Sequence, residues 1–427
     1  FFLGFVVLLI ISLVCILLGI CTLIWTPYYI CLNERLKMMP GFPPYDWWKD
    51  PPDAVLLRMY VFNITNSDDF MKGKSTHLNV DEIGPYIFRE KFQHRDIQFN
   101  ENGTLTYVAS REAIYLPDLN KLSLNETIIV PNLAVLGISS YLWNAPFIVR
   151  VGLNMIMKRL DSKPFVNTTV FNYLWNFTDP LMGLARNLAP YLVPEENMGV
   201  LHQIYKDFVD EITVNIGTQY GGRNFFTIDK FRGGNGLGVW KNETCDSVQG
   251  STEGVSYHQG IQRNDTLKYL RKTICRVALL HYLRDEEIMG MKAYRFELAN
   301  DTFSRPPKES DRQECFHTLG LPVLPSGITD VSPCYYGFPI VSSFPHFMYS
   351  DPVVTEKLSG LMADPKKHDS YVVVEPTTGV PFKSNARSQS SLIVHSMSGY
   401  PKLKRLSNMI IPMFWAEYVS NSFYFVS

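Results

Sequence analysis

The chain opens on an unbroken apolar run. From Phe1 to Asn33 there is no Asp, Glu, Lys or Arg, and Leu, Ile and Val dominate Phe1 to Ile24. About 20 such residues suffice to span a bilayer. Trp25, Tyr28 and Tyr29 follow, as an aromatic belt at a membrane interface requires. A cleaved signal segment is shorter and ends in small residues, whereas this run ends in Trp-Thr-Pro-Tyr-Tyr. Residues 1–31 therefore read as a retained transmembrane helix, and 32–427 as the domain that it carries.

After the first charge, Glu34, the pattern changes. Residues 40–52 hold five prolines, which exclude a helix or a central strand, and read as a stiff stem leading off the membrane. Val55–Ile64 is rich in β-branched and aromatic residues and predicts a strand. Similar runs recur at 84–90, 104–109, 212–216, 294–298 and 371–375, punctuated by Gly, Pro and Asn. This recurrence predicts a mainly β domain, largely antiparallel, with helical insertions. Thr127–Val149 carries no charge, but Pro131, Asn132, Ser139, Ser140, Asn144 and Pro146 interrupt it. It reads as short apolar helices continuing to residue 160, with another at 181–192, rather than as a second span. The end of the chain, from Ile410, turns apolar again and reads as the approach to a further anchor.

Two features place the domain on the exoplasmic side. Asn-x-Ser/Thr acceptors occur at Asn63, Asn102, Asn125, Asn167, Asn176, Asn242, Asn264 and Asn300, all beyond the anchor. Chance alone gives roughly three such motifs in a chain of this composition. Cys15, Cys21 and Cys31 lie in or beside the apolar run, and Cys31 is a candidate for acylation. The other four, Cys245, Cys275, Cys315 and Cys334, crowd one window and suggest two disulfides in an oxidising compartment. No Cys-x-x-Cys spacing points to zinc.

Charge and motif chemistry exclude other classes. The net charge is −1, so no global field attracts nucleic acid. Gly73-Lys74-Ser75 lacks the first glycine of a phosphate loop, since Asp68 occupies that place. Gly233–Gly238 lacks dinucleotide spacing, and Ser398-Gly399 lacks the glycine of a nucleophile elbow. Glu286-Glu287 sits in a charged run, and the nine histidines show no metal-ligand spacing. No enzyme, cofactor or metal is expected.

Motifs in order along the chain carry a resemblance. They are Trp48-Lys-Asp-Pro51-Pro52, Tyr60-Val-Phe-Asn-Ile-Thr-Asn66, and Glu82-Ile-Gly-Pro-Tyr-Ile-Phe-Arg-Glu90. Leu174-Trp175 before Asp179-Pro180, Ser343-Phe-Pro-His-Phe347, and Glu375-Pro-Thr-Thr-Gly379 with Arg387 and Gln389 follow. Together they resemble the class B scavenger receptors over essentially the whole chain. The resemblance implies two transmembrane helices, the second beyond residue 427, with both termini cytosolic. It implies a large distorted antiparallel β-barrel ectodomain, with an apical helical bundle at roughly 130–195 and a lipid tunnel. It implies the pairs Cys245–Cys315 and Cys275–Cys334, with both halves of a further family bridge missing. It also implies that Asn176, where the family has Gly, adds a glycan near the bundle.

The implied function is a lipid receptor or transporter of the plasma membrane or the endosome/lysosome membrane. It would take fatty acids, sterols, carotenoids or lipoprotein lipid and pass them to the bilayer. The alternatives are a protein-binding receptor, for phagocytosis or for lysosomal enzyme sorting, and an odorant or pheromone co-receptor. Lys158, Arg159 and Lys163, beside apolar residues of Met155–Phe165, are the candidate contacts for an anionic ligand. The competing reading is a solvated helix end that favours cations.

Overall fold

The computed structural model describes all residues except 1, 26–30, 32–33, 52–54, 189, 191–192, 207, 218–220, 307–314, 316–321 and 422–427. The chain divides into two compact units, residues 1–52 and 53–427. In the first unit, helix α1 (Phe2–Trp25) is apolar throughout. Its Gly4–Ile24 segment is long and apolar enough to cross a membrane, and none of it is buried. Helix α2 (Pro43–Lys49) corrects the expectation of a proline stem. Pro stands in its first turn, where the missing N–H would have no helical partner in any case.

The second unit is built on one large sheet. Its strands are β1 (Val55–Ile64), β2 (Leu78–Phe99), β3 (Thr104–Tyr115), β6 (Val209–Asn215), β7 (Ile228–Phe231), β8 (Thr266–Arg271), β9 (Arg276–Ile288), β10 (Met291–Leu298), β14 (Tyr371–Val374), β15 (Pro381–Val394) and β16 (Met409–Asn421). They lie in the order β7-β6-β3-β2-β1-β16-β15-β14-β10-β9-β8, each neighbouring pair antiparallel, and the short strands β11 (Thr329–Asp330), β12 (Ile340–Ser343) and β13 (Leu358–Ser359) pair off this path. The two edges are joined through residues 250–252. Gly250 N–H donates to Ile228 C=O and Ile228 N–H to Ser251 C=O on the β7 side. On the β8 side, Thr252 N–H donates to Lys268 C=O and Leu270 N–H to Thr252 C=O. Among the described residues the sheet is thereby closed on itself through this bridge, which covers the edges of β7 and β8.

Strand β16 gives the apolar end of the chain a place inside the sheet. It pairs β1 on one side, from Val55↔Ser420 to Val61↔Phe414, and β15 on the other. A central strand buried on both faces reads as a continuous apolar run, which is the pattern of Met409–Val419. Tyr60 of β1 stacks on Trp415 of β16 at 3.9 Å. Gly84 sits beside the bulge of β1 and β2, where a Cβ would lie 2.8 Å from the Met59 carbonyl oxygen. Arg387 of β15 donates to Glu417 of β16, and Arg58 of β1 bonds the same carboxylate at 3.1 Å.

The remaining helices are α3 (Ser67–Met71), α4 (Leu133–Tyr141), α5 (Phe147–Arg159), α6 (Val170–Trp175), α7 (Pro180–Leu188) and α8 (Val200–Tyr205), with shorter ones beyond. The helices α4 to α8 form one cluster around a two-stranded ribbon of β4 (Thr127–Pro131) and β5 (Phe165–Thr169). Disulfides join Cys245 to Cys315 and Cys275 to Cys334, across separations of 70 and 59 residues. Closing loops of that length constrains the unfolded chain enough to stabilise the fold by about 2–4 kcal/mol each.

Candidate functional site

A cavity of about 430 Å3 lies between the helical cluster and the sheet. Ligand sites usually enclose about 300–1,000 Å3. Its construction starts from two polar side chains. Asn132 caps α4, its Oδ1 accepting the N–H groups of Ala134 and Val135. Its Nδ2 donates to Asp179 Oδ2 at 2.9 Å, and Asp179 Oδ1 accepts the Leu181 N–H at the start of α7. One Asn–Asp pair therefore sets two helix N-termini side by side.

Ser140 fixes α4 to the sheet. Its Oγ donates to Ile393 C=O at 2.7 Å and accepts the His395 N–H at 2.9 Å. Between these anchors the helices turn apolar residues inward. Leu133, Gly137 and Ile138 come from α4, Val149, Gly152, Leu153 and Ile156 from α5, and Leu181, Met182, Leu184, Ala185 and Leu188 from α7. Phe338, Ile340, Met413 and Phe414 complete the wall. Gly137 permits that wall, because a Cβ there would lie 2.2 Å from the Phe338 ring. At Gly152 a Cβ would meet nothing within 4 Å, so open space begins directly at the α5 backbone.

Two charged side chains line this apolar space. Glu195 and Lys206 bond at 2.6 Å, and His202 Nε2 and Gln203 Nε2 also bond Glu195. Lys206 lies 5.9 Å from the Tyr336 ring centroid. Burial alone raises the Glu195 carboxyl, but the bonds from Lys206 and His202 outweigh it and hold the group below its ordinary value. Among the described residues, Lys206 is the sole cation that lines the cavity, and Glu195 the sole anion.

Lys158, Arg159 and Lys163 are placed elsewhere. All three are exposed at and just beyond the end of α5, and none lines the cavity. The helical phase explains this, since Leu153 and Met157 point inward and residues 158 and 159 follow round to the outer side. The outer face of α5 also exposes Phe147 (72%), Ile148 (74%) and Met155 (67%).

A second ionisable cluster brings Glu82 of β2 together with two histidines from short helical turns outside the strands. Glu82, His346 and His368 offer atoms within 4.8 Å of one another. Glu82 Oε2 lies 2.5 Å from His346 Nε2 and accepts from Trp415 Nε1 at 2.7 Å. The Met362 and Asp364 backbone N–H groups donate to Nδ1 of His346 and His368 respectively. Each neutral ring then carries its proton on Nε2, the nitrogen that a metal would need. The donor set fits a hydrogen-bonded brace rather than a metal centre. Burial first, and then the adjacent His346 ring, push His368 down to about 4.

Of the glycan acceptors, Asn102, Asn125, Asn167, Asn176, Asn264 and Asn300 are exposed. Asn63 and Asn242 are half-buried, and their Oδ1 atoms accept the Ile129 and Thr244 N–H groups. Cys31 is a free, exposed thiol.

An apolar helix at one end, a closed antiparallel sheet with two disulfides, and a greasy cavity under a helical cluster define a membrane-protein ectodomain with a ligand-sized cavity. The chain belongs to the CD36 family, whose family model matches residues 6–424. It is 27% identical over 415 residues to scavenger receptor class B member 1 of Rattus norvegicus, covering 96% of this chain and 79% of that protein. It is 26% identical over 389 residues to lysosome membrane protein 2 of Homo sapiens, covering 90% of this chain and 78% of that protein. A place at the plasma membrane or the lysosomal membrane fits both relatives.

Sequence reasoning found the helical region but not the cavity's polar pair. Glu195 stands in a loop and Lys206 at the end of α8, eleven positions apart, with no motif around them. The spacing of Glu195, His202 and Lys206 was the available signal.

Proposed function

We propose that this chain is a scavenger-receptor-type lipid receptor and transporter. It takes lipophilic molecules into the cavity beneath the helical cluster and passes them toward the membrane that anchors it. The observation that carries this reading is the cavity of about 430 Å3 with its almost wholly apolar wall. Transfer needs no covalent chemistry and no cofactor, since burial of apolar surface contributes about 25 cal/mol per Å2. The related scavenger receptor's name supports a receptor role for this chain as well.

The exposed apolar and cationic residues of α5 have a separate part. Phe147, Ile148 and Met155 meet the surface of a lipid-bearing particle, while Lys158, Arg159 and Lys163 contact its anionic headgroups. The same face supports a second reading, a protein-binding receptor that uses α5 as its interface. The six exposed acceptors carry the glycans, and Cys31 is the acylation site in this reading.

Gly152→Trp tests the cavity. The indole enters open space, so the fold should persist while lipid transfer from donor vesicles to acceptor membranes falls at least about tenfold. Transfer at the wild-type rate would refute the cavity reading and favour the protein-binding one.

A further inference from the structure

The proposed lipid site leaves its ligand class open, and the cavity's charges narrow it. Lys206, the cation available to a carboxylate inside the cavity, is already held at 2.6 Å by Glu195. Glu195 is fixed in turn by His202 and Gln203, and its carboxyl is held below its ordinary value. It therefore stays ionised at neutral pH. A fatty-acid anion entering this space meets Lys206 and Glu195 together, and their attraction and repulsion oppose one another at similar range. The anion would still lose its hydration in an apolar pocket, with no net partner to offset that loss. Lys158, Arg159 and Lys163 are exposed and do not line the cavity. An ester, sterol or long-chain alcohol carries no such cost. Its one polar group is served by Ser390 or a tyrosine hydroxyl of the wall.

We infer that Glu195 is a selectivity residue: by neutralising Lys206 it reserves the cavity for uncharged lipids and rejects fatty-acid anions. The inference rests on the lipid-receptor reading above. It assigns Glu195 a role in ligand choice, distinct from the capture surface on α5.

The test compares two probes of equal chain length, palmitate and methyl palmitate, both radiolabelled. Binding to the purified full chain in lipid nanodiscs is measured at pH 7.4, against empty nanodiscs. The wild-type protein should prefer the ester at least tenfold. Glu195→Gln keeps the side-chain shape and removes the charge, so it should shift the ratio of palmitate to ester affinity about tenfold toward palmitate. Adding Lys206→Met to Glu195→Gln should abolish that shift, which separates a freed cation from a general loosening of the loop. Equal wild-type binding of the two probes, or an unchanged ratio in Glu195→Gln, overturns the selectivity while leaving the cavity reading intact. Failure of both probes to bind the wild type overturns both.

Discussion

Glu82 and Glu195 each hydrogen-bond a histidine Nε2, and their side chains are almost equally exposed, 32% for Glu82 and 30% for Glu195. Their surroundings give them different work. Glu82 adds the Trp415 indole, and His346 is pinned by the Gln389 side chain at its N–H and by the Met362 N–H at its ring. His346 has φ +56°, a left-handed backbone that costs a non-glycine residue energy and that these bonds sustain. Glu195 instead adds a mobile-armed ammonium, Lys206, on the wall of an apolar cavity. The same Glu–His pair is a brace where every neighbour is fixed protein, and in the proposed reading a recognition element where one neighbour is the cavity.

The contrast is broken most severely by removing each carboxylate. Glu82→Ala leaves the buried His346 and Trp415 donors without an acceptor, so stability should fall by about 2 kcal/mol. Glu195→Gln should stay within about 0.5 kcal/mol of wild type, as is usual for partly exposed positions. Denaturant melts of both variants check this, and equal losses would erase the distinction.

Acid should act on the brace next. His368 binds its proton only near pH 4 when folded, against about 6.5 when unfolded. Between these values the unfolded chain holds more protons, so its contribution is complete above pH 6.5 and is lost as pH falls toward 4. With solvent screening the effect is on the order of 1 kcal/mol. His368→Gln should flatten the fall in melting temperature between pH 7 and pH 4.5, and a slope equal to wild type would contradict the assignment.

The smallest effect belongs to the outer face. Lys158→Ala combined with Lys163→Ala should slow capture from vesicles containing anionic lipid by about threefold at low salt, with little effect at high salt. Its affinity for methyl palmitate should not change. A loss of ester affinity would bring these cations back to the cavity.

Much of the sheet was legible, because β-branched and aromatic runs bounded by Gly, Pro and Asn announce strands such as Val55–Ile64 whatever their partners. Position in the sheet was not. Met409–Asn421 is apolar because both faces are covered, and a sequence does not distinguish cover by protein from cover by lipid. Pro43–Lys49 was hidden by a rule about helix interiors that does not reach the first turn. The motif residues Glu82, His346 and Gln389 proved to be neighbours in one hydrogen-bonded brace, which Trp415 completes. The strongest sequence signals thus mark architecture. The cavity was less legible, since an apolar helix face reads alike whether it meets a core or an empty space. Lys158, Arg159 and Lys163 stood out as a cluster, yet helical phase turned them outward, while Lys206 gained its importance only from what surrounds it.

The most direct measurement is mass spectrometry of lipid extracted from the purified full chain, wild type beside Gly152→Trp. The account expects uncharged apolar lipid at close to one molecule per wild-type chain, and its loss from the variant. Equal lipid in both proteins, or none in the wild type, would contradict the claim that the cavity beneath the helices is where this receptor carries its ligand.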